Sequence, residues 1–168
     1  QEMSLRDSYS TILEVWDRFG EKFGRHYRPV EHYRTEGAST LLLTMGSFSE
    51  TAMTAVDSLR DEGWKVGLIR LRLWRPFPFN DLREAVEGIS NLIVLDRAIS
   101  LGGPGGPVAS EVKAAFYSEK SKPKIVSFVA GLGGRDVTPK GFEEIITRGI
   151  EIAEKGSCNE YEIYGVRE

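Results

Sequence analysis

Four stretches of this chain are too continuously apolar to be half-exposed. They are Thr40-Leu-Leu-Leu-Thr-Met45, the start of Val66-Gly-Leu-Ile-Arg-Leu-Arg-Leu-Trp74, Leu92-Ile-Val-Leu-Asp96 and Lys124-Ile-Val-Ser-Phe-Val-Ala130. Short apolar runs of this kind read as strands buried on both faces. Between them the apolar positions fall at helical spacing. Ala52, Ala55, Val56 and Leu59 lie on one face of a helix ending near Asp61, before Glu62-Gly63. Further helices are predicted over Val108 to Tyr117 and from Thr138 to about Lys155. Ahead of the first strand, Ile12, Val15, Trp16, Phe19 and Phe23 form one stripe, which predicts an amphipathic helix from Tyr9 to Phe23 stopped by Gly24. Pro29 to Tyr33 is extended and mostly polar, so it reads as an edge strand.

The punctuation agrees with this division. Ser47, with Glu50 three residues on, reads as a capping box for the second helix. The prolines of Arg75-Pro-Phe-Pro78 terminate the second apolar strand, because proline donates no ladder hydrogen bond. Asn80 or Asp81 reads as the cap of a short helix to about Glu87, and Thr138-Pro139 as a cap followed by proline at the first helical position. After residue 40 the order is βαβαβαβα. Connections of this length favour a parallel sheet with right-handed crossovers and helices on both faces. The fold class is therefore a three-layer α/β/α domain with a mostly parallel sheet.

The 168 residues suffice for one domain with a substantial core. A net charge of −3 offers no nucleic-acid surface, and no apolar run reaches the length of a membrane span. One cysteine, Cys158, excludes an internal disulfide framework and fits a reducing compartment, so a cytoplasmic protein is expected. Four cysteine thiolates, the usual requirement of an iron–sulfur cluster, are not available. The chain opens on Gln1, which reads as a piece of a longer polypeptide or a processed form.

Candidate chemistry gathers where strands end. Asp96 and Arg97 close one strand, and Ser100-Leu-Gly-Gly-Pro-Gly-Gly-Pro107 leads to the next helix. Gly102, Gly103, Gly105 and Gly106 could form a backbone nest for a phosphate, with Arg97 beside it. Two prolines remove N–H groups from the loop, and the spacing is not GxGxxG, which favours a tight turn pressed against a neighbouring domain. Arg135 and Asp136 occupy the corresponding place after the last strand. Asp96, Arg97, Arg135 and Asp136 read as a structural salt-bridge network or partner contacts. Arg70, Arg72 and Arg75 could gather a phosphate or carboxylate, but pairing with acidic residues of this or another chain is favoured. Phe77 and Phe79 read as interface or core anchors. His26 and His32 lack a Ser, Cys or metal-ligand partner and read as surface residues; Cys158, in a polar setting, is not expected to be catalytic. No catalytic or metal-binding residue is assigned.

Five segments in this order resemble a known family. They are Thr44-Met-Gly-Ser47 with its Ala-rich helix, Gly63-Trp-Lys-Val-Gly-Leu-Ile-Arg70, Arg72-Leu-Trp-Arg-Pro-Phe-Pro78, Val94-Leu-Asp-Arg97 and Gly131-Leu-Gly-Gly-Arg-Asp-Val-Thr138. Together they resemble the transketolase C-terminal-like domain of 2-oxoacid:ferredoxin oxidoreductases, above all the alpha chain of the pyruvate branch (pyruvate synthase). The resemblance covers roughly residues 30 to 150. It implies a five-stranded sheet with one antiparallel edge strand. It also implies a parent complex that converts pyruvate and coenzyme A to acetyl-CoA and CO₂, using thiamine diphosphate, Mg and iron–sulfur clusters, with ferredoxin as acceptor. The family's cofactor-binding residues lie on other domains and chains, and none maps onto a position here.

The expected organisation is an N-terminal helix and edge strand (1–36), the α/β domain (37–156) and a C-terminal tail (157–168). Interface candidates are Arg72, Arg75, Phe77, Asp96, Arg135 and Asp136, facing the preceding thiamine-diphosphate-binding domain and the beta and other subunits. Two other readings stay open: a small module binding coenzyme A or another phosphate ligand through its glycine loop, or the C-terminal domain of a transketolase or E1-beta-type chain.

Overall fold

The structure is a computed structural model and describes residues 1–156 and 159–166. Cys158 therefore lies outside the described residues. Among the described residues, six strands form one sheet: β1 (Val30–Tyr33), β2 (Thr40–Met45), β3 (Val66–Leu71), β4 (Asn91–Asp96), β5 (Lys124–Val129) and β6 (Glu162–Ile163), in the order β1-β3-β2-β4-β5-β6. Of these described strands, β1 and β3 pair antiparallel, with Val30 opposite Leu71, and the other four pairs are parallel. The helices are α1 (Glu2–Phe23), α2 (Phe48–Asp61), α3 (Phe79–Ala85), α4 (Pro107–Ala115) and α5 (Pro139–Lys155).

The alternation of the pleat divides the apolar strands between two cores. Leu42, Leu68, Ile93 and Phe128 pack with α2 and α5 through Val56, Phe142 and Ile145. Leu41, Leu43, Ile69, Leu92 and Val94 pack with α3 and α4 through Leu82, Val108 and Val112. Helices on both faces explain why β2, β3 and β4 are continuously apolar. Gly149 on α5 lies against β4 so closely that a Cβ would stand 2.5 Å from Ile93 Cδ1.

Several elements differ from the sequence reading. The sheet gains a sixth strand, because the tail returns and Tyr164 N–H donates to Val129 O at 2.9 Å. Helix α1 starts at Glu2, not Tyr9; its first turns are exposed, Met3 and Leu5 included, and carry an i,i+4 Arg6–Glu2 pair at 2.8 Å. Strand β3 ends at Leu71, not Trp74, where Arg72 and Leu73 N–H groups turn to Pro29 O. The Ser47 capping box does not form. Ser47 has helical φ and ψ of −64° and −24°, so its hydroxyl makes no cap bond, and Glu50 pairs with Arg70 at 3.0 Å instead. Asn80 and Asp81 lie inside the first turn of α3 and cap nothing there; Asp81 accepts from the Tyr9 hydroxyl. Thr138 does cap α5, its Oγ1 accepting from Gly141 N–H at 3.2 Å. Among the described residues, no helix is long and apolar enough to cross a membrane.

Candidate functional site

Parallel strands carry their strand-to-helix loops to one edge, and open α/β sheets place ligands at that carboxyl edge. Here the edge is built from Gly46–Phe48 after β2, residues 72–78 after β3, residues 97–106 after β4 and residues 131–136 after β5.

Asp96 is a buried polar residue held from two sides there. It is 3% exposed, and its two carboxylate oxygens accept from the N–H groups of Val108 and Ala109 at 2.9 and 3.0 Å. Burial raises its carboxyl pKa; the two amide donors pull it the other way. A carboxylate from the strand thus fills the place at the α4 N-terminus where a bound anion would sit. A phosphate would have to displace it. Its burial within the chain also removes Asp96 from the surface that an interface requires.

The glycine loop closes on itself rather than opening as a nest. Ser100 and Gly105 form an isolated bridge, with Ser100 N–H donating to Gly105 O at 2.9 Å, and Gly103 N–H donates to Ser100 O at 2.8 Å. Gly102, with φ of +72°, makes the turn between them and leaves Leu101 91% exposed at the tip. Gly105 has φ of +116° and lies against Tyr161.

Arg97 is exposed and its guanidinium rests 4.5 Å from the centroid of the Phe48 ring, which packs edge-to-face on Phe142. Arg135 donates to Leu132 O at 3.2 Å, and Asp136 is exposed. The four residues expected to form a salt-bridge network do not do so among the described residues. The strand ends point Asp96 into α4 and Arg97 onto Phe48, so neither reaches the 131–136 loop as an ionic partner.

The arginines on and just after β3 are engaged within the chain. Arg72 holds Glu31 bidentately at 2.6 and 2.8 Å, and its guanidinium lies 4.6 Å from the Tyr27 ring centroid. Arg70 bridges Glu31 and Glu50. Arg75 grips Glu111 of α4 with two bonds of 2.6 and 2.8 Å, and Trp74 Nε1–H donates to the same carboxylate at 2.9 Å. The Arg75 bonds come first in holding the Glu111 carboxyl below its ordinary value. The three cations therefore do not converge on one vacant point. Phe77 and Phe79 pack with their rings tilted at 59° and centroids 4.8 Å apart, and both line a cleft of about 510 Å³ between α1 and α4, with Phe79 48% exposed.

Sequence reasoning missed Glu111, Tyr9 and Glu31. Each finds its partner 36, 72 or 41 positions away, and no local pattern announces such pairs.

Thiamine diphosphate needs a metal–diphosphate site. Among the described residues, no three His, Cys, Asp or Glu side chains stand together to hold a metal ion. The donor set does not fit that group, nor does one cysteine fit a cluster.

The fold and this edge define an α/β domain of the transketolase C-terminal type. The likeness to two solved structures agrees: 2-oxoglutarate:ferredoxin oxidoreductase from Magnetococcus marinus, with a TM-score of 0.55 and 22% identity over 79% of this chain and 21% of that one, and a split-gene transketolase, with a TM-score of 0.57 and 15% identity over 77% and 44%. Residues 38–142 match the family described as pyruvate:ferredoxin oxidoreductase core domain II, and the chain belongs to that family. Similar curated proteins include pyruvate synthase subunit PorA of Pyrococcus abyssi, 38% identical over 91% of this chain and 38% of that protein, and PorA of Thermotoga maritima, 42% identical over 79% and 35%. Ketoisovalerate oxidoreductase subunit VorA of Pyrococcus horikoshii is 36% identical over 91% and 39%. The chain spans less than two fifths of the length of these relatives.

Proposed function

We propose that this chain is the core domain II portion of an alpha-type subunit in a 2-oxoacid:ferredoxin oxidoreductase acting on pyruvate. In this reading the assembly forms acetyl-CoA and CO₂ with thiamine diphosphate, Mg and iron–sulfur clusters, and passes electrons to ferredoxin in the cytoplasm. The domain is itself non-catalytic. Residues 37–156 act as a scaffold, 1–36 and 157–168 as flanking segments, and Arg97, Phe77, Phe79, Arg135 and Asp136 face the preceding cofactor-binding domain or the beta and other subunits. Arg72 and Arg75 take part through their exposed flanks.

The observation that carries this reading is the 38–42% identity to PorA chains. It is supported at the sheet edge, where Asp96, Arg72 and Arg75 are already satisfied within the chain. The test is a pair of assays. The purified chain should fold cooperatively and give no pyruvate-dependent reduction of ferredoxin; the assembly containing it should turn over pyruvate faster than 2-ketoisovalerate. Turnover by the isolated chain would refute the scaffold role, and a preference for 2-ketoisovalerate would refute the substrate. Coenzyme A binding through the glycine loop is disfavoured because Asp96 fills the helix N-terminus; calorimetry of the chain with coenzyme A should show no heat of binding.

A further inference from the structure

At the antiparallel edge of the sheet, where β1 runs beside the carboxyl end of β3, Arg25, His26, Arg28, His32 and Arg72 line one open groove of about 500 Å³. The chain has two histidines in all, and both are here. Glu31 is the single carboxylate among the lining residues, in a chain whose net charge is −3. We propose that this groove binds a small multivalent oxyanion, of the phosphate-ester or polycarboxylate kind.

The cations are held in place before any ligand arrives. Trp16, Phe19 and Tyr27 form an aromatic cluster, with Trp16 edge-on to Tyr27 at 6.3 Å between centroids and Phe19 stacked on Tyr27 at 5.7 Å. Arg72 lies on the Tyr27 face and Arg25 on Phe19, the latter at 5.3 Å. Glu31 fixes Arg72 through Nε and one terminal nitrogen, which leaves the other terminal nitrogen free to donate. Arg28 spends Nη1 on Asp17 and on Tyr27 O, leaving its remaining N–H groups. Arg25 has no carboxylate partner among the described residues. The His26 ring sits on Gly20, where a Cβ would stand 2.3 Å from Nδ1, so the glycine in α1 is the seat of that ring. His26 Nδ1 faces Gly20 and His32 Nδ1 lies 3.5 Å from Thr35 Oγ1, so it is the Nε2–H tautomer of each imidazole that keeps a donor for the ligand. Guanidinium forks recognise carboxylate and phosphate oxygens bidentately, and prior ordering of donors lowers the entropic cost of binding.

The experiment titrates inorganic diphosphate, and separately citrate, into the 168-residue chain while following the two histidine ring resonances by NMR. The expected result is saturable shifts of both histidines with one shared Kd, in the range of about 0.1–1 mM, for at least one of the two anions. Which of them binds identifies the phosphoryl or the carboxylate source. Arg25→Gln, which breaks no ion pair, should weaken binding roughly tenfold, the loss of one charge-assisted contact; Lys120→Gln, far from the groove in sequence and exposed, should leave it unchanged. Shifts that stay linear for both anions, or equal weakening by the two variants, would overturn the proposal.

Discussion

Gly106 and Asp96 touch so closely that a Cβ on Gly106 would stand 2.1 Å from Asp96 Oδ2. The glycine and the carboxylate are therefore one device: the first leaves room, the second ties β4 to the start of α4. Asp96→Ala orphans two buried helix N–H groups and should cost about 1–3 kcal/mol. Gly106→Ala should cost a similar amount, because the carboxylate must leave. The double variant should lose less than the sum, since the alanine at 96 vacates the space. Urea denaturation of the four proteins checks this; additive losses would show that the two residues act independently.

The clamp between β3 and α4 should open in acid. Glu111 is held below its ordinary value, first by the Arg75 bonds. A depressed carboxyl contributes stability above the unfolded value of about 4.3, and that contribution is lost as pH falls through the folded value. The Trp74 indole N–H, which donates to Glu111, reports the event. Its NMR resonance should move with a midpoint below about 4.3, the ordinary glutamate value. Glu111→Gln should remove the transition.

Much of this architecture was legible because its signals are local. The apolar runs of β2, β4 and β5 required burial on both faces, and Thr138-Pro139 marked the start of α5 within a residue. What stayed hidden depended on distance in the chain. Strand β6 has two residues and carries no pattern of its own; it exists because β5 offers it a free edge. On sequence alone the Asp96 side chain read as a ligand-site residue, a partner contact or part of a salt-bridge network, and the turn of residues 97–106 instead brings the start of α4 onto it. Asn80 and Asp81 have the residue types of a cap, but α3 starts before them at Phe79.

The returning tail makes a different pH prediction. Burial, then the bond that its hydroxyl gives to Glu144 at 2.6 Å, pushes Tyr164 up to about 12. A group raised in the folded state contributes stability below its unfolded value, about 10 for tyrosine, and that contribution is lost as pH rises through the folded value. The ring resonances of Tyr164 should therefore titrate late, near 12, when followed by NMR. Glu144→Gln should bring that titration earlier; an unchanged midpoint would show that the hydroxyl is not held by Glu144.

Gly149 sets the distance between α5 and the sheet. In an open helix interior, alanine would be better than glycine by up to about 1 kcal/mol. Here the added methyl would meet Ile93 Cδ1 at 2.5 Å and Cγ1 at 2.8 Å. Ile93 is fully buried on the central part of the sheet and has little room to rotate. Overpacking of this kind costs about 1–3 kcal/mol, so the crowding outweighs the propensity. Gly149→Ala should be net destabilising, and adding Ile93→Val, which removes the crowding methyl, should restore part of the loss. Thermal unfolding of the single and double variants measures both; a stabilised Gly149→Ala would mean that α5 stands further from β4 than the structure places it.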